Sequence, residues 1–270
     1  MNESSVFDQL AGDYDAAFSE RLPAQWLRQR VHERVGRFLP EDGSILDVGC
    51  GTAEDAIWFA SQGHSVTATD SSPAMLKRAR QKCETLPRNI QSRISLNLFD
   101  AASRDAMSSN GRFDLVFSNF GALNCIADLT SFFENVRETV GPKSVVALTL
   151  MGPFCLWETL GFAARRNFQS ARRRWNGTSV FTKGDVSQSI WYHSPSTIAR
   201  MAAPHFVVVD LCGIGVLIPP TEFFTVCEQR PRLFRSLANI ETQVGSWWPF
   251  NRIGDHYLII LRTTSGGDER

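Results

Sequence analysis

No stretch of the chain approaches the roughly 18 consecutive apolar residues of a membrane-spanning helix, so membrane insertion is not expected. The six cysteines, Cys50, Cys83, Cys125, Cys155, Cys212 and Cys227, include no Cys-x-x-Cys pair. That spacing argues against a zinc ribbon and a compact disulfide framework, and most are expected to be reduced, small core residues. Charge of one sign is not in excess: 28 Lys and Arg balance 28 Asp and Glu. No global field therefore points to nucleic acid or an anionic membrane, and any electrostatic preference must be local. Histidine is scarce, with five residues, and no His and carboxylate cluster has metal-ligand spacing, so metal-independent chemistry is expected. The opening MNESSVFDQLAGDYD has neither a basic nor an apolar leader region, which makes a cytoplasmic location the expectation. What is present is apolar mass. With 43% hydrophobic residues, 21% charged residues and a mean hydropathy of −0.16, the 270 residues suit one elaborated α/β domain.

Residues 1–43 read as a helical cap, because Phe7, Leu10, Tyr14 and Phe18 and then Trp26, Leu27, Val31, Val35 and Phe38 recur at helical spacing before Pro40 and Gly43. From residue 44 the rhythm changes to short apolar runs, at 44–48, 65–69, 94–99, 113–118 and 144–150. Helical stretches at 53–62, 73–84 and 128–140 separate them, the second opened by Ser72-Pro73. Such alternation predicts an α/β, Rossmann-like open sheet with helices on both faces. Residues 151–185 break it with an aromatic and Arg-rich stretch, read as a helical lid inserted into a domain covering 44–270. Strands at 188–193, 205–211 and 255–263 and helices between 221 and 245 complete the expectation.

The segment ILDVGCGTAEDAIWFA puts a tight turn, Gly49-Cys50-Gly51-Thr52, between a buried strand ending at Asp47-Val48 and a helix. Ligands of open α/β sheets bind at that edge, and glycine there lets a backbone approach closely. A dinucleotide fingerprint needs a small residue three positions after the second glycine. Glu54 stands there, and its carboxylate would repel a diphosphate. Asp70 ends the second strand nineteen positions after Gly51, where a ribose-binding carboxylate belongs; the alternative is a helix N-cap. Asp100 ends the third, where it could accept from an adenine amine with Phe99 or Ala101 flanking the ring.

LDVGCGT, TATDSSPAML, LNLFD and FDLVFSNFGALN, in that order, resemble the motifs of class I S-adenosylmethionine-dependent methyltransferases of the small-molecule type. The N-terminal FDQLAGDYDAAF is similar to the helix that closes over the cofactor in such enzymes. The resemblance implies a sheet of seven strands, mostly parallel, with an antiparallel last strand. It implies S-adenosylmethionine as methyl donor and S-adenosylhomocysteine as coproduct. By position, Gly49, Cys50 and Gly51 would pass under the methionine part, Asp70 would hold the ribose, Met75 would pack on the adenine, and Asp47, Thr52 and Ser71 would belong to the same cofactor site. Asp100 and Ala101 would edge the adenine amine, Tyr14 would sit over the cofactor, and Asn119 with Phe120 would border the transfer site.

Asn119-Phe120-Gly121-Ala122 lacks the paired prolines of amine methylation, which favours a small molecule, hydrophobic or anionic, over nucleic acid; oxygen is the first acceptor expected, then carbon. Asn119 alternatively caps the following turn. A general base is optional; His193 is the first candidate and His256 the second, each read more readily as a satisfied structural histidine because the sequence shows no partner carboxylate for it. In the insert, Arg165, Arg166, Arg172, Arg173, Arg174 and Lys183 face a single Glu158, a solvated face first and an anion-steering patch second. Phe154, Leu156, Trp157, Leu160 and Phe162 are spaced for packing or for lining a pocket. The competing functions are a nicotinamide-dependent oxidoreductase and a catalytically inactive S-adenosylmethionine-binding protein.

Overall fold

The strands of the computed structural model, which describes residues 5–103, 112–203 and 205–264, are β1 (Ser44–Val48), β2 (Ser65–Asp70), β3 (Ile94–Leu98), β4 (Phe113–Ser118), β5 (Val140–Met151), β6 (Thr178–Lys183), β7 (Val186–Trp191), β8 (Phe206–Ile214) and β9 (His256–Thr263). Seven of them form one sheet in the order β3-β2-β1-β4-β5-β9-β8. The first five run parallel, and β9 inserts antiparallel between β5 and β8, with Met151 opposite His256 and Val145 opposite Arg262. Strands β1 and β4 are almost wholly buried apolar runs, as expected where helices cover both faces.

Alternation along β1 divides the interior in two. Ile45 joins the layer under α2 (Leu22–Val35), α3 (Glu54–Ser61) and α11 (Pro231–Val244), with Leu27, Val31, Phe59 and Ala238. Leu46 and Val48 join the opposite layer under α6 (Thr130–Thr139) and α9 (Pro195–Ala202), with Phe133, Val136 and Ile198. The remaining helices are short or lie at the rim: α1 (Val6–Leu10), α4 (Pro73–Glu84), α5 (Arg88–Gln91), α7 (Leu156–Ala164), α8 (Phe168–Ala171) and α10 (Phe224–Gln229). No helix among the described residues is long and apolar enough to cross a membrane.

The insert departs from its reading as a helical lid. Only α7 and α8 are helical; β6 then pairs antiparallel with β7, Thr178 opposite Trp191, in a hairpin apart from the main sheet. The strand expected at 188–193 is thus the second arm of that hairpin. Its apolar run is extended, as the sequence predicts, but alternation does not say which sheet a strand joins.

Candidate functional site

The chain proceeds outward from β1 through β2 to β3 and then crosses to β4 on the other side of β1, which leaves a crevice at the carboxyl ends of β1 and β4. A cavity of about 310 Å³ lies there. Its floor is the turn after β1. Gly49 and Cys50 both donate their N–H to the Thr69 carbonyl (2.8 and 2.9 Å), which folds the turn back over the end of β2. Gly49 and Gly51 adopt positive φ of 73° and 55°, and Ala53, which precedes α3, takes φ 68°. The two glycines do different work. A Cβ on Gly49 would overlap the Cβ of Ala122 in the loop after β4, whereas one on Gly51 would meet nothing nearer than Tyr14 at 4.0 Å. Gly51 is therefore the face left open to a ligand.

Asp70 joins the two strand ends. Its carboxylate accepts from the Gly51 N–H and the Ser72 N–H, both at 2.8 Å. Capping of α4 falls instead to Ser72, whose hydroxyl accepts from the Met75 N–H at 3.1 Å, so the cap alternative for Asp70 gives way to a role in the turn. Burial raises the Asp70 carboxyl above its ordinary value, moderated by those backbone donors. Each oxygen keeps a lone pair for a hydroxyl donor. Around it the cavity is lined by Ser71, Met75, Asp100 and Ala101 on one side and by Tyr14, Asn119 and Phe120 on the other. Burial pushes the Tyr14 phenol up to about 12, so it stays a hydrogen-bond donor. Phe120 sits at φ 48°, uncommon for a bulky residue, with its ring held between Phe18 (5.1 Å) and His256 (5.5 Å).

Sequence-derived candidates outside this lining are equally informative. Cys50 and Thr52 border a smaller adjoining cavity of about 30 Å³. The Thr52 hydroxyl donates to Asp15 at 2.6 Å and so ties the turn to the N-terminal segment. Asp47 is buried behind the turn with both carboxylate oxygens unpartnered, and burial, reinforced by the Asp55 charge, holds its carboxyl well above the usual range. Asn119 turns its amide toward Asp55 (3.2 Å) and accepts from the Phe120 N–H (3.0 Å), the local bond that the turn-cap reading anticipated. His193 is placed away from the lining, its Nε2 on the Ile126 carbonyl at 2.8 Å. His256 meets the cavity only through Phe120 and lies 3.2 Å from its sequence neighbour Asp255, a carboxylate that spacing had not suggested as its partner. Glu54 is not a free negative charge either, being paired with Lys82, which also reaches Asp15 at 3.2 Å.

Several residues at the site carried no recognised signal. Asp8 caps α1 through Ser5 and also accepts from the Ser72 hydroxyl at 2.6 Å, which fastens α1 to the start of α4 beside the cavity. Behind the smaller cavity Asp55 is bound by Arg28 and, at 2.6 Å, by His32, itself stacked on Trp58. Burial opposes ionisation of Asp55, but the Arg28 and His32 charges outweigh it and hold its carboxyl below the ordinary range. Asp55 adjoins the glycine motif in sequence; Arg28 could have been sought only as a cation among the apolar positions of α2.

The insert's basic run is corrected most. Arg174 is 3% exposed and donates to Glu158 (3.0 Å), to the Asp255 carboxylate (2.6 Å) and to the Asp255 carbonyl (2.6 Å). Arg173 bridges Glu158 and Glu222 at 2.7 and 2.8 Å, which leaves only the rest of the run as a solvated face. Cys155, Glu158 and Asp255 converge closely enough to suggest a metal site, but the cation among them is Arg174. None of Phe154, Leu156, Trp157, Leu160 or Phe162 lines the main cavity. No residue of 151–185 lines it either; Gln188 of β7, just beyond the insert, does so beside Ser5 and Phe7.

Residues 45–143 match the family model described as a methyltransferase domain. A malonyl-[acyl-carrier protein] O-methyltransferase of Pseudescherichia vulneris is 29% identical over 55% of this chain and 53% of its own length. A protein of the same name from Paenibacillus sp. (strain JDR-2) is 27% identical over 82% of this chain and 87% of its own. The chain thus spans about half the length of the first and most of the second. The structure of the CcbJ methyltransferase from Streptomyces caelestis superposes with a TM-score of 0.63 at 15% identity, covering 98% of this chain and 100% of that one.

Proposed function

We propose that this chain, whose residues 45–143 match a methyltransferase-domain model and whose fold is shared with a solved methyltransferase structure, is a class I S-adenosylmethionine-dependent enzyme that methylates a small-molecule acceptor and releases S-adenosylhomocysteine. One observation carries the reading. The cavity at the strand switch point is lined by Asp70 and Asp100 and by no Lys, Arg or His among the described residues. Such a donor set suits a sulfonium cation with an uncharged nucleoside and is poor for a diphosphate. That fit, more than the pairing of Glu54, disfavours a nicotinamide cofactor.

S-adenosylmethionine, when bound, supplies a methyl group on a positively charged sulfur. Asp70 would accept from its ribose hydroxyls, Met75, Asp100 and Ala101 would take the adenine, and Arg28, buried with Asp55 beside the smaller cavity, is the cation available to its carboxylate. The chain's own work is then alignment and exclusion of water, which can supply much of the acceleration of an in-line displacement. Phe7, Tyr14 and Phe120 form apolar walls for that purpose, and residues 1–43 and 151–185 serve as cap and lid through α1 and the β6–β7 hairpin. An oxygen acceptor that arrives already anionic, such as a carboxylate, needs no base, in keeping with a lining without histidine and with relatives named as O-methyltransferases. A cytoplasmic location belongs to the same reading.

Calorimetric titration tests it: S-adenosylhomocysteine binds and NADH does not. Binding at a hundredfold excess over Kd should also add about 2.7 kcal/mol of apparent stability. Production of S-adenosylhomocysteine from a panel of carboxylate and phenol acceptors separates an enzyme from a binding protein, and NADH binding without a response to S-adenosylhomocysteine would end the proposal.

A further inference from the structure

The balance of 28 basic against 28 acidic residues conceals a separation in space. Two segments, the insert at 151–185 and the stretch 215–255, pack on one another at the rim. Gly161 and Phe162 of α7 lie against Phe223, Arg165 stacks on the Phe223 ring at 4.6 Å, and the Leu156 N–H donates to the Ile253 carbonyl at 3.0 Å. Apart from Asp185, exposed in the turn that follows β6, their carboxylates are all committed. Glu158 and Asp255 are buried around Arg174, Glu222 holds Arg173, and Glu228 holds Arg21. Glu241 is buried on the N–H groups of Gly215, Leu217 and Ile218. Against them Arg165, Arg166, Arg172, Arg230, Arg232 and Arg235 are exposed, and none forms an ion pair with a described residue.

The same two segments expose large apolar side chains. Trp248 is 78% exposed, Trp247 62%, Leu160 60% and Phe168 56%. Along α11 Leu233 and Ile240 lie seven residues apart, so both fall on one face of the helix. We infer that this rim is a docking surface for an anionic lipid bilayer, the arginines meeting headgroup phosphates and the tryptophans and aliphatics entering the interface. Charge complementarity selects an anionic partner. The side chains select the bilayer over an acidic protein: the two tryptophans, Leu160 and Phe168 protrude by more than half their area, which a fluid interface accommodates and a folded partner must match with pockets. Tryptophan, apolar in body with one polar N–H, suits the headgroup level. The inference stands apart from the proposed activity.

The test is cosedimentation of the full chain with vesicles of phosphatidylcholine alone and of equal parts phosphatidylcholine and phosphatidylglycerol. Binding is expected to the mixed vesicles only, weakening as salt is raised, with a blue shift of tryptophan emission. The exposed triple variant Arg172→Glu, Arg232→Glu, Arg235→Glu should lose affinity by about a hundredfold or more. Its S-adenosylhomocysteine titration, expected to match the unmodified chain, shows that it is folded and that the two readings fail separately. Equal binding to neutral vesicles, undiminished binding by the variant, or capture by an acidic acyl-carrier protein without vesicle binding overturns the inference.

Discussion

Replacing Arg174 by Met probes the buried charge network that joins the insert to the sheet. The guanidinium makes its bonds to Glu158 and Asp255 and lies 5.2 Å from the Tyr192 ring, all at 3% exposure. Methionine keeps much of the volume but removes the cation. Glu158 retains Arg173, whereas Asp255 is left with His256 alone. Removing one partner of a buried pair costs about 3–5 kcal/mol, because a desolvated charge is stranded. At about 2–4 °C per kcal/mol for a chain of this size, Tm should fall by roughly 6–20 °C at pH 7. The pH dependence follows from Asp255. Burial raises its carboxyl, the His256 and Arg174 charges more than reverse that, and the net value lies below the ordinary range. A depressed carboxylate stabilises fully above its unfolded value, near 3.9, and loses that contribution only as pH falls through the lower folded value. Without Arg174 the folded value rises, so Asp255 takes up a proton and sheds its stranded charge as the solution is acidified. The stability gap between the two proteins, measured by urea unfolding, should therefore be widest at pH 7 and narrow by pH 4.5. A gap below about 1 kcal/mol at pH 7 would refute the reasoning, since that is the worth of an exposed pair; so would a large gap that does not change with pH.

Asp70→Ala should weaken S-adenosylhomocysteine binding by more than about tenfold in a folded protein, since the ribose would lose a charged acceptor worth about 1.5–3 kcal/mol; an unchanged Kd by calorimetry assigns Asp70 to the turn alone. The two glycines should separate: Gly49→Ala lowers Tm through its overlap with Ala122, whereas Gly51→Ala keeps the fold at a cost of about 1–2 kcal/mol of left-handed strain and loses affinity, and the reverse pattern in melting and titration would contradict the assignment. Replacing residues 153–183 by a Gly-Ser linker removes Arg174 together with the insert, so Tm should fall at least as far as in Arg174→Met; turnover lost at unchanged Tm would show that the insert bears only on the acceptor.

Most of the sheet could be read from the sequence because its signals are local. The runs at 44–48 and 65–69 and the Ser72-Pro73 helix start depend on neighbours a few residues away, and the structure places β1, β2 and α4 there with ends shifted by no more than a residue. What escaped were partnerships across long separations. Arg173 and Arg174 share a basic run whose burial is decided 81 residues downstream by Asp255 and 49 by Glu222, and no spacing within the insert encodes either. His193 escaped for another reason. A main-chain carbonyl such as that of Ile126 belongs to every residue and leaves no trace in side-chain identity, so the search for a partner carboxylate could not find it.

The glycine turn shows the same limit inside a motif that was recognised. Gly49 and Gly51 look equivalent on the page, both with positive φ and both explained by close approach of a ligand. The loop after β4 breaks the equivalence: both glycines line the cavity, but Ala122 fills the space beside the Gly49 Cα and that beside Gly51 is open. That loop runs through the left-handed residues Phe120 and Gly121, and Asn119 helps set its course by accepting the Phe120 N–H. Asn119 is in turn held by Asp55, and Asp55 by Arg28 of the N-terminal helix α2. The open face of the turn is thus fixed by a chain of contacts running from α2 through α3 to the loop after β4. A substitution at Arg28 acts at its far end: it should disturb the cavity's shape as well as its charge.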